Sequence, residues 1–577
     1  MTKEIKIKIN SKSYLGEIDE TIFEIAEKNK LFIPTLCHHP DLKSNESCRI
    51  CLVEIIRNGK KEVVASCSTK IFEGMEIFLD TAKVKKSRRL NLELLFSDHY
   101  EKCPECNWVD HCQLKKLSAE FGIKENRFSK RRREAKIDKK TSSMFWDSSK
   151  CIECGNCLST CDQIVGLKII KSKYTGSAII FGPDGGQSFS ETNCVYCGQC
   201  ILRCPSGSLQ EKYDIENVEH LIKKKGRNVL IAQFAPSARY SIAELFGESA
   251  DKNYEKKLIS ALKKIGFDYV FDVNFGADIT TVEEAEELED RLESKGALPM
   301  FTSCCPAWVR YLEIFHHELL PNLTTTKSPN QCLSVAIKTH FSKVVKISAR
   351  RIKIVSIMPC IAKKYESQLP ELRLGHRPAC DYVLTVREAG RLLKKNNIDL
   401  SKIEDSEFDS LLSEATGAGY IYGASGGVME SALRTLAAKN CQNDCQLEFS
   451  AVRGLKGVKE ASVEVAGKKL EVAVVSGLKN AIKLLKDIKS GVKHYHYIEV
   501  MACPGGCLGG GGQPIPTTPE IREQRKNAFY TDDSSKKVRR AHENKDLIKM
   551  YEGLNAKPLS EKAEKLFHRK FIRRQKK

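Results

Sequence analysis

Three short cysteine-containing blocks in the second half of the chain have the composition of a site for a bulky inorganic cofactor. They read T-S-C-C-P-A-W from Thr302, M-P-C-I-A-K-K-Y-E from Met358 and M-A-C-P-G-G-C-L-G-G-G-G-Q-P from Met501. Thiolates are soft ligands that suit iron-sulfur sites, and glycine lets the backbone pass close to a bound group. Cysteines that only fill a core usually occur singly among apolar neighbours. The blocks therefore predict a metal-cluster site.

The first of four cysteine groups that precede these blocks predicts a [2Fe-2S] cluster. Its members, spaced C-x10-C-x2-C-x15-C, are Cys37, Cys48, Cys51 and Cys67. They follow an alternating Ile-Lys-Ile-Lys-Ile strand and a helical stretch near Thr21–Lys30. Plant-type ferredoxins have the same order of strand, helix and cysteine loop, with a shorter first gap. We expect a β-grasp ferredoxin-like domain over residues 1–80, and a zinc site is the alternative.

The second group combines one histidine with three cysteines. Its spacing is H-x3-C-x2-C-x5-C, and its members are His99, Cys103, Cys106 and Cys112. The spacing alone allows either zinc or a [4Fe-4S] cluster. The set resembles the histidine-ligated [4Fe-4S] module that follows a [2Fe-2S] domain in long [FeFe]-hydrogenases and in the large iron-sulfur subunit of respiratory NADH dehydrogenases. We expect this module over residues 81–125.

Two quartets with the spacing C-x2-C-x2-C-x3-C come next, and the second is followed by Pro205. They consist of Cys151, Cys154, Cys157 and Cys161, and of Cys194, Cys197, Cys200 and Cys204. This is the pattern of bacterial two-cluster ferredoxins, in which the fourth cysteine of each run ligates the other cluster. We expect a domain with two [4Fe-4S] clusters over residues 141–210; a pair of zinc knuckles is the alternative.

Length and composition restrict the class of protein. With 577 residues the chain is too long for one core and is sufficient for about three to five domains. Its 24 cysteines lie in tight groups rather than in a disulfide pattern, which indicates ligands in a reducing compartment. No apolar run reaches about 18 residues, so we expect no membrane span.

The formal net charge is +20, although iron-bound thiolates would lower it. A basic run over residues 130–133 and a basic C-terminal tail over residues 556–577 contribute to it. Solvated surface is one interpretation of both, and docking of an acidic electron carrier is the other. Nucleic-acid binding is not expected, because no recognised module accompanies the charge.

The catalytic half alternates apolar runs with amphipathic helical stretches. The helical stretches include Asp251–Ile265 and Val282–Ser294. The apolar runs are Val229–Ala232, Tyr269–Val273, Ile352–Ile357, Val472–Val475 and Tyr497–Val500. This alternation predicts an α/β architecture with mostly parallel sheets. The cysteine blocks follow apolar runs, and the ends of strands are the usual position of sites in such folds.

The three blocks resemble the active-site signatures of the [FeFe]-hydrogenases, and the resemblance extends over nearly the whole chain except the tail. It implies a catalytic domain over residues 225–555, made of two α/β lobes with the cofactor between them. The N-terminal cluster domains would precede this catalytic domain. It also implies a ferredoxin hydrogenase that reversibly reduces protons to H2, with electrons from ferredoxin or a similar acidic carrier.

The resemblance also assigns cofactor residues. Cys305, Cys360, Cys503 and Cys507 would hold a [4Fe-4S] cubane, and Cys507 would bridge it to a two-iron centre with CO, CN and a dithiolate amine. This composite is the H-cluster. The residues implied to contact the two-iron centre are Lys363, Ser237, Asn330, Met358 and Met501. Three accessory [4Fe-4S] clusters and one [2Fe-2S] cluster would accompany it.

Cys304 matches the family's proton donor. The matching proton relay consists of Glu284, Thr324, Glu287 and Arg291, of which the two glutamates lie at i,i+3 on one predicted helix. Three positions depart from the family: Thr324 replaces a serine, Asn330 a glutamine and Tyr422 a phenylalanine.

Four cysteines fit no ligand set, and we assign them to packing or loops: Cys332, Cys380, Cys441 and Cys445. The last two could also form a redox or zinc pair.

Two rival functions remain open at this point. A non-catalytic relative of the cytosolic iron-sulfur assembly type would keep only the cubane ligands. An electron-transfer subunit of an NADH dehydrogenase would match the N-terminal modules but lack the three blocks. We expect a monomer that depends on H-cluster maturation proteins and is cytoplasmic, with the hydrogenosome matrix as the alternative, because no presequence precedes the first strand.

Overall fold

The computed structural model describes the chain except for residues 1–3, 98, 100–102, 104–105, 124–126, 129–134, 176–177, 410, 413, 440–445 and 466. The basic run over residues 130–133 and the pair Cys441 and Cys445 therefore lie outside the described residues.

The N-terminal 80 residues form a five-stranded sheet with one helix. Its strands are β1 (Glu4–Ile9), β2 (Lys12–Glu17), β3 (Leu52–Arg57), β4 (Lys60–Ala65) and β5 (Glu76–Phe78), in the order β2-β1-β5-β3-β4. The alternation of β1 buries its three isoleucines and exposes its lysines. Helix α1 (Ile22–Lys28) starts with a capping box between Thr21 and Glu24. Helices α2 (Ala82–Ser97) and α3 (Gln113–Glu120) follow.

The two quartets lie in a compact module of short elements. Its strands are β6 (Ile137–Asp138), β7 (Met144–Asp147), β8 (Ile170–Thr175), β9 (Ala178–Pro183) and β10 (Leu209–Glu211). The four-residue helices α4 (Asn156–Ser159) and α5 (Gln199–Leu202) each begin after a left-handed glycine, Gly155 or Gly198. The repeated C-G-x-C segment thus turns the chain identically in both halves.

The rest of the chain contains ten strands and fifteen helices among the described residues. The strands are β11 (Val229–Phe234), β12 (Tyr269–Asp272), β13 (Met300–Phe301), β14 (Ile352–Met358), β15 (Arg373–Leu374), β16 (Arg377–Pro378), β17 (Tyr382–Thr385), β18 (Val458–Val465), β19 (Lys468–Ser476) and β20 (Tyr497–Met501). The helices are α6 (Ile215–Lys223), α7 (Ala238–Glu244), α8 (Glu255–Ile265), α9 (Val273–Glu293), α10 (Pro306–Phe315), α11 (Pro329–Ala336), α12 (Ser342–Val344), α13 (Ala362–Glu366), α14 (Val386–Lys395), α15 (Gly417–Ile421), α16 (Gly427–Lys439), α17 (Leu478–Lys489), α18 (Pro519–Ser535), α19 (Lys545–Leu554) and α20 (Glu561–Phe567).

Two sheets form the two lobes of this part. The first, β12-β11-β14-β17, is entirely parallel. The second, β13-β20-β19-β18, is parallel except for the β18–β19 hairpin. The predicted α/β architecture with mostly parallel sheets is confirmed, and all five predicted apolar runs lie in strands.

Helix α9 begins nine residues before the predicted stretch Val282–Ser294. Asp272 caps its start by accepting a hydrogen bond from the backbone N–H of Asn274. The early turns are buried all round, so they lack the amphipathic pattern that would have indicated a helix.

One hydrophobic core joins the cluster modules to the second lobe. It includes Ile50 beside the [2Fe-2S] cysteines, Trp146 of the two-quartet module and Trp308 of α10. A buried ion cluster crosses the same boundary, because Asp41 accepts hydrogen bonds from Arg203 and Arg522. The modules are therefore packed against the catalytic part.

The interpretation of residues 556–577 as a solvated tail is wrong. Phe567 of α20 is fully buried, and Arg569 and Arg574 pair with Glu313 and Glu371. The basic residues of this C-terminal segment are thus partly consumed by buried carboxylates. None of the described helices has the length and apolarity required to cross a bilayer.

Candidate active site and cluster sites

The three cysteine blocks meet at one cavity between the lobes, with an empty volume of about 770 Å³. They follow the carboxyl ends of β13, β14 and β20, and parallel strands bring such ends to the same edge of a sheet. The five thiols that line the cavity are those of Cys304, Cys305, Cys360, Cys503 and Cys507.

The backbone around this cavity is packed too closely for side chains. A Cβ added at Gly510 would lie 2.2 Å from the carbonyl oxygen of Pro359, and one at Gly506, where φ is +77°, would lie 2.9 Å from Sδ of Met501. The glycine run therefore lies directly against the block around Cys360. Five thiols around a cavity of this size fit an iron-sulfur cofactor that is much larger than a single metal ion.

All five residues implied to contact the two-iron centre line the same cavity: Ser237, Asn330, Met358, Lys363 and Met501. Nζ of Lys363 lies 3.2 Å from the carbonyl oxygen of Cys304 and 3.0 and 2.9 Å from the carboxylate oxygens of Glu366. Burial opposes its charge, but Glu366 raises the pKa of Lys363 overall, so the cation persists. Sequence reasoning missed Glu366, although its i,i+3 position after Lys363 was a signal.

Polar groups at the wall of the cavity retain free hydrogen-bonding capacity. Oδ1 of Asn330 accepts a hydrogen bond of 2.8 Å from Gln233, but its Nδ2 is buried without a partner among the described residues. The buried hydroxyl of Tyr422 also has no such partner. Unpaired buried donors are costly, so both fit a cofactor that carries hydrogen-bond acceptors.

The predicted relay residues form two hydrogen-bonded groups. In the first, the hydroxyl of Tyr497 donates to Oε1 of Glu284 at 2.8 Å, a partner that sequence reasoning missed. Burial raises the pKa of Glu284 to about 8, against the lowering effect of this hydrogen bond. Burial also raises the pKa of Cys304, so its thiol is protonated.

The second group lies further from the cavity. Oγ1 of Thr324 donates to Oε2 of Glu287 at 2.7 Å, and Arg291 pairs with Oε1 of Glu287 at 2.5 Å. The hydrogen bonds of the described residues do not link Glu284 to Thr324, so side-chain motion or water must bridge these groups in any proton path.

The two quartets cross over in space. One cavity of about 320 Å³ is lined by Cys151, Cys154 and Cys157 together with Cys204. A second, of about 360 Å³, is lined by Cys161 with Cys194, Cys197 and Cys200. Each cavity thus takes its fourth thiol from the other run.

The [2Fe-2S] cysteines are buried in two pairs, with Cys37 hydrogen-bonded to Cys48 and Cys51 to Cys67. Cys37 is also close enough to Cys154 for its thiolate charge to raise the pKa of that thiol, although burial is the larger cause. This group therefore lies beside the 320 Å³ cavity.

The His99 group adjoins the same cavity through Lys150, the residue before Cys151. Nε2 of His99 lies 3.0 Å from the carbonyl oxygen of Lys150, while its Nδ1 is buried without a partner among the described residues. Nζ of Lys150 lies 3.5 Å from Sγ of Cys106. An imidazole held by a backbone carbonyl with its other nitrogen free is a typical metal ligand.

The 360 Å³ cavity abuts the active-site cavity. A Cβ added at Gly511 would lie 2.5 Å from the carbonyl oxygen of Cys197, and Nε2 of Gln199 donates to the carbonyl oxygen of Gly509 at 2.8 Å. The cluster sites therefore form a continuous series that ends at the five-thiol cavity.

Cys332 and Cys380 are fully buried in the first lobe, away from every cysteine group. The prediction that they serve packing is confirmed.

Comparisons with known proteins agree with this arrangement. Residues 228–511 match the family described as "Iron only hydrogenase large subunit, C-terminal domain", and residues 519–574 match "Iron hydrogenase small subunit". Residues 2–82 match a 2Fe-2S iron-sulfur cluster binding domain, and residues 88–127 match the NADH-ubiquinone oxidoreductase-G iron-sulfur binding region.

Two curated relatives are similar over nearly their whole length. The chain is 37% identical to the "NADP-reducing hydrogenase subunit HndD" of Solidesulfovibrio fructosivorans over 99% of both chains. It is also 37% identical to "Iron hydrogenase 1" of Clostridium pasteurianum, over 98% of this chain and 99% of the relative.

Among solved structures, the apo [FeFe]-hydrogenase HydA1 from Chlamydomonas reinhardtii superposes with a TM-score of 0.56 at 32% identity, over 63% of this chain and 99% of that one. The convergent thiols, the cluster domains and these similarities together show that the chain belongs to the iron-only [FeFe]-hydrogenases.

Proposed function

We propose that this protein interconverts protons and H2 at an H-cluster held in the five-thiol cavity, by the reaction 2H+ + 2e− ⇌ H2. The observation that carries the proposal is the convergence of Cys304, Lys363 and the four ligand thiols on one cavity that adjoins a cluster site. When bound, the two-iron centre would supply the metal site at which H2 is formed or split.

The chain's own residues would hold the cofactor and move protons. Cys305, Cys360, Cys503 and Cys507 would ligate the cubane, with Cys507 shared with the two-iron centre. Lys363 and Ser237 would donate hydrogen bonds to its cyanide ligands, and the free Nδ2 of Asn330 offers another donor. Met358 and Met501 would close the apolar wall.

Cys304 would exchange protons with the cofactor, and Glu284, Thr324, Glu287 and Arg291 would carry them onward. At neutral pH the raised pKa of Glu284 keeps this carboxyl protonated and able to donate. Tyr497 would hold it in place.

Electrons would reach the cavity through one [2Fe-2S] and three [4Fe-4S] clusters in domains over residues 1–80, 81–125 and 141–210, with the catalytic domain over residues 225–555. Both the [2Fe-2S] group and the His99 group adjoin the Cys151 site, so either would pass electrons to it. Metal analysis of the matured protein tests this count, since stoichiometric zinc would replace the cluster at His99.

We propose ferredoxin, or a similar acidic carrier, as the electron donor, and H-cluster maturation proteins as the assembly partners of a cytoplasmic monomer. A nicotinamide-dependent partner is the second candidate, because one relative of similar length is an NADP-reducing subunit. Anaerobic H2 production driven by reduced ferredoxin, compared with production driven by NADPH, separates the two.

A scaffold function is the remaining alternative. "Cytosolic Fe-S cluster assembly factor narfl" of Danio rerio is 29% identical over 58% of this chain. A scaffold without a two-iron centre has no use for Cys304, the buried Lys363 cation or Met501. Infrared spectroscopy of the anaerobically matured protein tests the proposal. Bands of metal-bound CO and CN together with H2 turnover are expected, and their absence from fully matured protein would overturn it.

A further inference from the structure

We infer that His568 accepts and returns protons at the outer end of the proposed relay, acting on Glu287 through Thr325. The inference rests on the proposed function, because it extends the path that begins at Cys304. It gives the C-terminal segment a part in proton exchange.

The backbone of the C-terminal segment fixes His568 beside the relay. The N–H of Lys327 donates to the carbonyl oxygen of Phe567 at 2.7 Å, and the N–H of Arg569 donates to that of Thr325 at 2.8 Å. These bonds join the loop after Thr324 to the end of α20 as a short antiparallel bridge. The imidazole is nearly buried, with 6% of its side chain exposed.

Both ring nitrogens have partners that can exchange protons. Nδ1 lies 2.7 Å from Oγ1 of Thr325, and Nε2 lies 3.1 Å from Oε2 of Glu283. Oγ1 of Thr325 also lies 3.1 Å from Oε2 of Glu287. The single hydroxyl proton of Thr325 can therefore be donated to the carboxylate or to the imidazole.

The transfer is a two-proton shift without electron transfer. A protonated Glu287 gives its proton to Oγ of Thr325 while the Thr325 hydroxyl proton moves to Nδ1 of His568. The carboxyl O–H and the original Oγ–H break, and a new Oγ–H and an Nδ1–H form. The products are a carboxylate and an imidazolium whose Nε2–H faces Glu283, and the reverse shift reloads the relay.

The charges around His568 accommodate an imidazolium. Glu283 is fully buried and accepts hydrogen bonds from the hydroxyl of Tyr551 and the N–H of Leu559. The neighbouring cations are engaged elsewhere: Lys327 binds the carbonyl oxygen of Leu566, burial lowers the pKa of Lys327 to about 8, and Arg569 pairs with Glu313 and Glu371.

Chemistry also favours a histidine over the end of the relay at Arg291. A guanidinium keeps its protons in proteins, so Arg291 can orient Glu287 but is a poor group for exchanging protons. An imidazole changes its protonation between about pH 5 and 8. The structure places such a group one hydroxyl away from Glu287.

The test is the pH profile of dye-driven H2 oxidation by holoenzyme carrying His568→Gln. Because the exit beside Arg291 remains, we expect a loss of about three- to tenfold, below the 10²–10⁴ typical of general acid-base groups, with partial rescue by added imidazole. His317→Gln is the matched control, since His317 also contacts the C-terminal segment, at the carbonyl oxygen of Arg574, but lies outside this network. Its turnover should equal that of the wild type.

Thr325→Val keeps the imidazole but removes the hydroxyl that connects it to Glu287, and it decides the question if His568→Gln fails to assemble its cofactor. It should slow turnover as His568→Gln does, and the double variant should be no slower than either single one. Additive losses, or wild-type rates and pH profiles in both single variants, would overturn the inference. If Cys304→Ser and Glu287→Gln slow turnover while these variants do not, only the branch through His568 is wrong. A wild type without H2 turnover would instead refute the proposed function.

Discussion

Cys304 and Cys305 are adjacent, yet they face the active-site cavity with different tasks. Both thiols line the cavity, but only Cys305 belongs to the proposed cubane set. The carbonyl oxygen of Cys304 accepts a hydrogen bond from the buried Lys363 cation, which holds this residue in position. A substitution at Cys304 therefore separates proton delivery from cofactor retention.

We predict that Cys304→Ser slows H2 turnover by at least the 10²–10⁴-fold typical of general acid-base groups, because an alcohol is a far weaker acid than a thiol. The infrared bands of CO and CN should persist, since the ligand thiols are untouched. Cys305→Ser is the matched control and should impair cofactor assembly. Near-wild-type turnover in Cys304→Ser with intact bands would show that protons take another route.

Glu284 supplies a pH prediction at the same scale. Its folded-state pKa of about 8 exceeds the ordinary value for glutamate, so it is neutral at pH 7 and loses its proton as the pH passes 8. The stability it contributes is complete below its unfolded pKa and is lost as the pH rises toward 8. We therefore expect turnover to fall above about pH 8, a limb that Glu284→Gln should abolish together with most of the activity.

Tyr497→Phe removes the hydrogen bond that lowers the pKa of Glu284, so the alkaline limb of the turnover profile should move to higher pH. Tyr495→Phe, two residues earlier and bonded instead to Glu460, is the control and should leave the limb in place. A limb that moves downward in Tyr497→Phe would contradict the assignment to Glu284.

At the scale of elements, the contact between two glycine-containing turns joins the cluster module to the active site. Gly511 lies so close to Cys197 and Gly198 that a methyl group would come within 2.5 Å of the Cys197 carbonyl oxygen. We predict that Gly511→Ala separates the two loops and slows dye-driven H2 turnover, because the electron path between the sites lengthens.

H2/D2 exchange provides the control for Gly511→Ala, since exchange needs the active site but no external electrons. It should be retained to a larger extent than dye-driven turnover. Gly467→Ala lies in a hairpin turn with open space around its Cβ and should affect neither activity. Equal losses of both activities in Gly511→Ala would show damage to the cofactor site instead of the electron path.

At the scale of the whole molecule, the excess of 20 positive charges favours an acidic electron carrier. Reduced ferredoxin should therefore drive H2 production less efficiently as ionic strength rises, since salt screens the encounter of oppositely charged surfaces. A small neutral dye should show a much weaker salt dependence. Equal salt dependence with both donors would contradict electrostatic docking.

The sequence by itself determined the ligand groups and the architecture, because these depend on short-range patterns. Cysteine spacings within a dozen or so residues define each cluster group, and apolar runs define the strands of both lobes. Those strand ends explain why blocks beginning at Thr302, Met358 and Met501 meet at one cavity. Glu366 was also within reach of such reasoning, three residues after Lys363.

Only the tertiary structure decided the contacts between distant segments. Tyr497 reaches Glu284 across 213 residues, and His568 reaches Thr325 across 243. It also showed that the basic C-terminal segment is buried against Glu313 and Glu371 instead of being solvated. A charge or a hydroxyl shows no periodicity that identifies its partner, so these pairings follow from how the lobes and the C-terminal segment pack together.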